Sequence, residues 1–304
     1  MTRRPRVIEW PVVFHSRCRI LSPMINANEI VGTHDILFVT LDTLRLDVAR
    51  TAMESGLTPN LQNVVPNGQW EHRHTPGNFT FAAHQAFFAG FLPTPATPGQ
   101  HARLFAAKFL GSETTTERTC VFDAPDMIEG LADRGYHTVC IGGVGFFNKL
   151  TPLGCVLPDR FAQSHWSPEL GVTERDSTKN QIDVALQSLK KVEPDERIFL
   201  FINISALHQP NCIYVEGENE DSPATQAAAL AYVDSQLPRL FDAFRNRRLG
   251  NGQSNNPQAS PADRNQTLCI LTSDHGTAYG EDGYYGHRIC HPVVWNVPYA
   301  EFIF

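Results

Sequence analysis

Two aspartates stand at the ends of apolar runs, and one of them is followed at once by a histidine. Asp42 closes Asp35-Ile-Leu-Phe-Val-Thr-Leu41, and Asp274-His275-Gly276 follows the run at 267–271. Carboxylate oxygens and a neutral imidazole can bind one divalent cation together or divide between two. Each aspartate alone has an ordinary use, capping a helix or starting a turn. The two together point to a metal. A third apolar run, 198–204, leads into Ser205-Ala-Leu-His208-Gln-Pro210 and puts His208 at the same edge. Beyond His275, a glycine-rich stretch carries His287 and His291, the farther of them 16 residues on.

A hydroxyl completes the set. Gly77-Asn-Phe-Thr80-Phe-Ala-Ala-His84 reads as a turn into a short apolar helix, with Thr80 at or near its N-cap. Such a threonine is either a cap, worth about 1 kcal/mol, or a nucleophile. A free hydroxyl is a poor nucleophile at neutral pH and needs a base or a metal. A helix N-terminus also offers N–H groups to an anion. His84 lies one turn further on the same face.

These residues need a scaffold that brings strand ends together. The runs at 35–41, 198–204 and 267–271 are apolar at both parities, as strands covered on both faces are. A helix over 127–134 closes at Gly135, and a strand follows at 137–141. Further helices are expected over 176–191 and 224–247, with a last strand over 297–304. Strands alternating with helices predict an α/β fold, a mainly parallel central sheet with helices on both faces in three layers. Ligands of such sheets bind beyond the carboxyl ends of the strands. The polar stretches 217–223 and 250–266 read as mobile loops. No internal repeat and no dividing linker is seen. The expected organisation is an N-terminal extension, 1–30, and a single catalytic domain, 31–304.

The chain has 304 residues, 42% of them hydrophobic and 19% charged, enough for a sizeable core and not a disordered composition. With 25 basic and 32 acidic residues the net charge is −7, the wrong sign for non-specific nucleic-acid binding. No run approaches the roughly 18 apolar residues of a membrane span. The N-terminus, with a proline interrupting a short apolar run, reads as no secretory signal. Seven scattered cysteines without a CxxC pair argue against a thiolate zinc cluster and suggest a reducing, cytoplasmic location.

Collinear motifs over most of 35–304 resemble the alkaline phosphatase superfamily, in its sulfatase-like branch of arylsulfatases, phosphoethanolamine transferases and lipoteichoic acid synthases. DILFVTLDTLRLD resembles that branch's first strand with its metal-binding aspartate. GNFTFAAHQAFFAGFLP resembles the nucleophile helix. GYHTVCIGG, FLFINISALHQP and AAALAYVDSQLPRLFDAF resemble the intervening elements. TSDHGTAYGEDGYYGH is the most specific stretch. The resemblance implies a first metal held by Asp42, Thr80, Asp274 and His275. His208 and His287 would contact substrate or a second metal, and His287 has the spacing from His275 seen in phosphoethanolamine transferases. His291 would have a weaker, supporting role.

Departures from the branch bear on the reaction. Type I sulfatases use Cys/Ser-x-Pro-x-Arg, whose first residue is oxidised to an aldehyde. Here Thr80-Phe-Ala82-Ala-His84 stands instead, and a threonine cannot become that aldehyde. The expected activity is therefore metal-dependent hydrolysis or transfer of a phosphate ester through a phospho-threonine, on a small anionic ester. One or two divalent ions are implied, zinc or manganese ahead of magnesium or calcium. A second cation, or protonated His208 and His287, would assist the leaving oxygen. The rivals are a sulfatase, phosphonate hydrolase or phosphosugar mutase on the same fold, and a catalytically silent metal-binding member. Substrate specificity would reside in 145–174 and 209–223. Their Phe146, Phe147, Asn148, Lys149, Trp166 and Tyr214 either line a pocket or pack the loops onto the sheet. Oligomeric state is not legible.

Overall fold

The computed structural model describes residues 25–90, 126–193, 195–247 and 266–304. Its strands are β1 (Asp35–Leu41), β2 (Glu71–His74), β3 (Tyr136–Ile141), β4 (Gln163–His165), β5 (Arg197–Ile204), β6 (Thr267–Thr272), β7 (Ala278–Tyr279), β8 (Tyr285–Gly286) and β9 (Asn296–Ile303). Its helices are α1 (Ala27–Ile30), α2 (Leu46–Glu54), α3 (Pro59–Val64), α4 (Thr80–Ala89), α5 (Met127–Ala132), α6 (Pro152–Val156), α7 (Ser177–Leu189), α8 (Pro223–Arg245) and α9 (Pro292–Trp295).

A strand apolar at every position must be covered twice, and β1 and β5 are. Leu37, Val39 and Leu41 join Ile198, Leu200, Ile202 and Ile204 on one face, under α2, α3, α7 and α8. Ile36, Phe38, Phe199 and Phe201 face the other way, against Ile30 of α1, Phe88 of α4 and Ile128 and Leu131 of α5. Phe199 and Phe201 are fully buried, and each such side chain stabilises the fold by roughly 2–3 kcal/mol relative to exposure. The result is the expected three-layer α/β architecture.

The seven-stranded sheet runs β2-β9-β6-β1-β5-β3-β4, and β7 pairs with β8 in a separate ribbon. Strands β6, β1, β5, β3 and β4 are mutually parallel. The last strand, expected over 297–304, is β9, and it runs antiparallel to both β6 and β2. The register pairs Leu41 with Ile204 and Thr40 with Thr272. Asp42 and the segments after β5 and β6 therefore emerge together at one sheet edge.

Two expectations change. The stretch 217–223 is tied down: Asp221 accepts from the backbone N–H groups of Asn211 and Cys212 at 2.6 and 2.8 Å. Ser222 and Thr225 then cap α8 reciprocally, with Pro223 at its first position. The acidic residue there is a backbone acceptor, not a sign of mobility. The proposed N-terminal extension also reaches into the fold, because Ile30 is buried in the core. Residues 1–24 of that extension and nearly all of the 250–266 loop lie outside the described residues.

Phe241 of α8 packs on Phe302 and Phe304 at the sheet end remote from the strand ends described above. Phe241→Ala is expected to cost about 3–5 kcal/mol, read as a lower urea midpoint, while bound metal per chain is unchanged. A coincident loss of metal would mean that fold and site are not separable in this way.

Candidate metal centre

Asp42, Asp274 and His275 come from two neighbouring strand ends, and their ligand atoms lie within 4.8 Å of one another, all buried. Two carboxylates so close repel, so the local chain must hold them. Thr43, directly after Asp42, takes a left-handed backbone with φ 60°, strained for a β-branched residue. This turns its N–H toward Asp274 Oδ1, which accepts at 3.1 Å. The N–H of His275 donates to the same oxygen at 3.0 Å. Asn203, a polar residue near the end of β5, donates from Nδ2 to Asp42 Oδ2 at 2.9 Å.

Each carboxylate is thus half satisfied. Asp42 Oδ1 and Asp274 Oδ2 are buried and have no hydrogen-bond partner. His275 Nδ1 donates to the carbonyl of Gly276 at 2.8 Å, which leaves Nε2 as the lone-pair nitrogen. Thr80 Oγ1 stands 3.3 Å from that Nε2. Two orphaned anionic oxygens, an imidazole lone pair and a hydroxyl are a hard-to-borderline donor set that fits a divalent cation such as zinc or manganese. Without the cation the charges are costly. Burial, with the charge of Asp274 next, pushes Asp42 up to about 6, and burial pushes Asp274 up to about 7.

Thr80 is the first residue of α4, and Phe79 before it provides no side-chain cap. The threonine hydroxyl is not used as a helix cap. One turn on, His84 is fully buried. Its Nδ1 donates to the Thr80 carbonyl at 2.7 Å, and its Nε2 pairs with the Thr40 hydroxyl at 3.0 Å. Thr40 in turn accepts from Asn203 at 3.2 Å. Burial holds His84 down at about 3, so it is neutral and fixes α4 against β1 and β5.

His208 and His287 face the same space. Their rings are 5.8 Å apart, and His287 is 4.6 Å from His275. His208 Nδ1 donates to the carbonyl of Gln209 at 2.6 Å, leaving Nε2 free. Burial, followed by the charges of His275, His208 and Arg288, brings His287 down to about 3. His287 is thus neutral at pH 7, a ligand or proton acceptor more than a proton donor. His291 lies apart: it caps α9 by accepting from Val293 N–H and pairs with Asp282 at 3.1 Å.

The loops after the strands are stapled by side chains that sequence reasoning missed. Gln226 of α8 donates to the carbonyl of Thr43 at 2.9 Å and accepts from Arg45 N–H at 3.3 Å. Arg45 is buried and paired with Asp47 and Glu281, joining the loop after β1 to the His275–His287 loop. A Cβ on Gly276 would come within 1.9 Å of the Val293 carbonyl oxygen, so glycine is required after His275. Asn203 and Gln226 did carry a signal, as polar residues inside apolar patterns. Thr43 carried none.

Most of the proposed pocket residues pack loops instead. Phe147 is in the core, Trp166 donates to the Gly143 carbonyl, and Tyr214 stacks on Tyr232. Lys149 donates to Ser164 at 2.8 Å. Phe146 lies beside α4, against Phe79 and Phe81.

Solved structures match this arrangement of elements. The C-terminal periplasmic domain of phosphoethanolamine transferase EptC from Campylobacter jejuni superposes with a TM-score of 0.56 at 14% identity, over 89% of this chain and 80% of that one. A protein in the alkaline phosphatase superfamily from Vibrio parahaemolyticus gives 0.52 at 19% identity, over 89% and 60%. The fold is alkaline-phosphatase-like. A zinc complex of the C-terminal periplasmic domain of EptC from Escherichia coli shares this alkaline-phosphatase-like fold, with a TM-score of 0.55 at 11% identity over 89% and 74%. No protein-family model matches the chain, and no curated protein matches it. No described helix is long and apolar enough to cross a membrane.

The raised carboxyl pKa values set a pH dependence. In the metal-free protein Asp42 and Asp274 keep protons to about 6 and about 7. Their contribution to stability is therefore fully present below the ordinary carboxyl value of 3.8 and lost as pH rises from there through about 6 and about 7. A cation replaces those protons and relieves the repulsion. The zinc-induced rise in Tm is expected to grow between pH 5 and pH 8, with affinity more than about tenfold weaker at pH 5. A zinc effect independent of pH would contradict the assignment of both carboxylates as ligands.

Proposed function

We propose that the protein hydrolyses or transfers a phosphate ester with Thr80 as nucleophile. Asp42, Asp274, His275 and Thr80 would hold a divalent cation. One observation carries this reading: two buried carboxylate oxygens without partners converge with an imidazole nitrogen near the hydroxyl of a helix-initiating threonine. When bound, the cation supplies Lewis acidity, lowering the pKa of the hydroxyl and offsetting charge on the reacting group.

In this reading Thr80 Oγ1 attacks phosphorus and its proton passes to a neutral imidazole, for which His287 is the candidate. The Oγ1–P bond forms as the bond to the leaving oxygen breaks, and that oxygen departs with the electron pair. The first amides of α4, which have no intrahelical acceptors, are available to the non-bridging oxygens. Water or an acceptor alcohol then forms a new O–P bond and releases Thr80, which regains a proton. His208 and His287 would steady the leaving and entering oxygens or hold a second ion. Threonine in place of an oxidisable cysteine favours phosphorus over sulfur. The substrate would be a small anionic ester, with no role for nucleic acid. The scattered cysteines suggest a reducing, cytoplasmic setting, whereas the matched EptC domains are periplasmic.

Thr80→Ala is expected to lose more than about a thousandfold in turnover while bound zinc is kept. Parallel assays on nitrophenyl phosphate, bis-nitrophenyl phosphate and nitrophenyl sulfate would rank the reacting groups. Near-normal turnover by Thr80→Ala would refute the nucleophile. Wild-type protein that neither binds zinc nor acts on any of the three esters would instead be a silent member of the fold. Asp274→Ala is expected to empty the main site in metal analysis, whereas His208→Ala keeps its zinc and raises KM. Unchanged metal content in Asp274→Ala would refute the ligand set.

A further inference from the structure

We propose that Arg288 grips the anionic group of the substrate beside Thr80, an assignment that rests on the reading of Thr80 as nucleophile. The backbone of Arg288 is built into the nucleophile turn. Its N–H donates to the carbonyl of Asn78 at 2.8 Å, and Asn78 Nδ2 returns a bond to the Ile289 carbonyl at 3.4 Å. Arg288 itself holds φ 70°, a left-handed conformation that a long side chain adopts only where its surroundings impose it. The guanidinium then lies over the ring of Phe79, 5.4 Å from its centroid. Phe79 is the residue immediately before Thr80.

Stacking on a ring occupies the face of a guanidinium and leaves its in-plane N–H groups free to fork onto an oxyanion. No carboxylate competes for them: among the described residues the ion pairs do not include Arg288. The contrast is Arg45, the other guanidinium at these strand ends, which is spent on Asp47 and Glu281.

The charge count gives this position its consequence. One divalent cation would cancel against the carboxylates of Asp42 and Asp274. A site with zero net charge in a protein of net charge −7 has no attraction for an anion. Arg288 is the positive charge left over among these groups. It would take the non-bridging oxygens of a phosphoryl group, fixing the ester for in-line attack without exchanging a proton with it.

The probe is inorganic phosphate, titrated calorimetrically into zinc-loaded wild type, Arg288→Ala and Arg288→Lys, alongside kinetics on bis-nitrophenyl phosphate. Arg288→Ala is expected to bind phosphate about tenfold more weakly and to raise KM by a similar factor, with kcat within about threefold. Its zinc content should match wild type. Arg288→Lys should recover part of the phosphate affinity, as a point charge without the fork. A purely structural role would lower thermal stability and kcat and gain nothing from lysine. If Arg288→Ala binds phosphate as wild type does while wild type holds zinc and turns over ester, the assignment falls and the reading of Thr80 stands. If wild type holds no zinc and turns over no ester, both fall.

Discussion

Two carboxylates buried within a few ångströms of each other cannot both stay ionised unless something positive stands between them. Asp42 and Asp274 are buried in that way, each with one oxygen satisfied by N–H donors and the other bare. In the metal-free protein burial pushes both carboxyls up, and the charge of Asp274 adds to this at Asp42. Much of the surrounding structure serves to maintain it. The strained turn at Thr43 aims an amide at Asp274, Asn203 braces Asp42, and Gln226 holds the carbonyl that the turn would otherwise leave bare. These donors stabilise one oxygen of each aspartate and leave the other directed into the site. The arrangement makes sense as a seat for a cation and little sense as a packed core.

The sheet explains why the seat lies where it does. Parallel strands β6, β1 and β5 end in register, so three chain segments leave the sheet side by side. Asp42, Asp274 and His275 come from two of those exits, and Asn203 and His208 come from the third. The helix bearing Thr80 packs over the phenylalanine face of the same strands, and its position is fixed by a buried chain of hydrogen bonds through His84, Thr40 and Asn203. Thr80 and the candidate ligands are therefore parts of one rigid unit. The His275–His287 loop is secured separately, by Arg45 with Glu281 and by the close contact of Gly276 with Val293.

The central strands and the long helices were legible in sequence because buried parallel strands write unbroken apolar runs. An aspartate that ends such a run is conspicuous, and so is a histidine beside it. The edge strands β2 and β4 were not legible: they are short, and β2 is exposed at every position, so no burial pattern marks them. The direction of β9 follows from tertiary pairing and not from its own residues. His84 looked like a helix-face companion of Thr80 and proved to be a neutral core residue ringed by Phe87, Phe88, Phe147 and Phe201. The supports at Thr43, Arg45 and Arg288 depend on partners far along the chain, and no local spacing announces them. The aromatics of 145–174 were legible only as apolar, and the fold uses most of them as packing.

Crystals of the zinc-loaded protein, with diffraction recorded on both sides of the zinc absorption edge, test the central claim most directly. The account predicts an anomalous peak about 2 Å from Asp42 Oδ1, Asp274 Oδ2 and His275 Nε2, with Thr80 Oγ1 as a further ligand. A peak elsewhere, or none with Asp42 and Asp274 left facing each other, would contradict it.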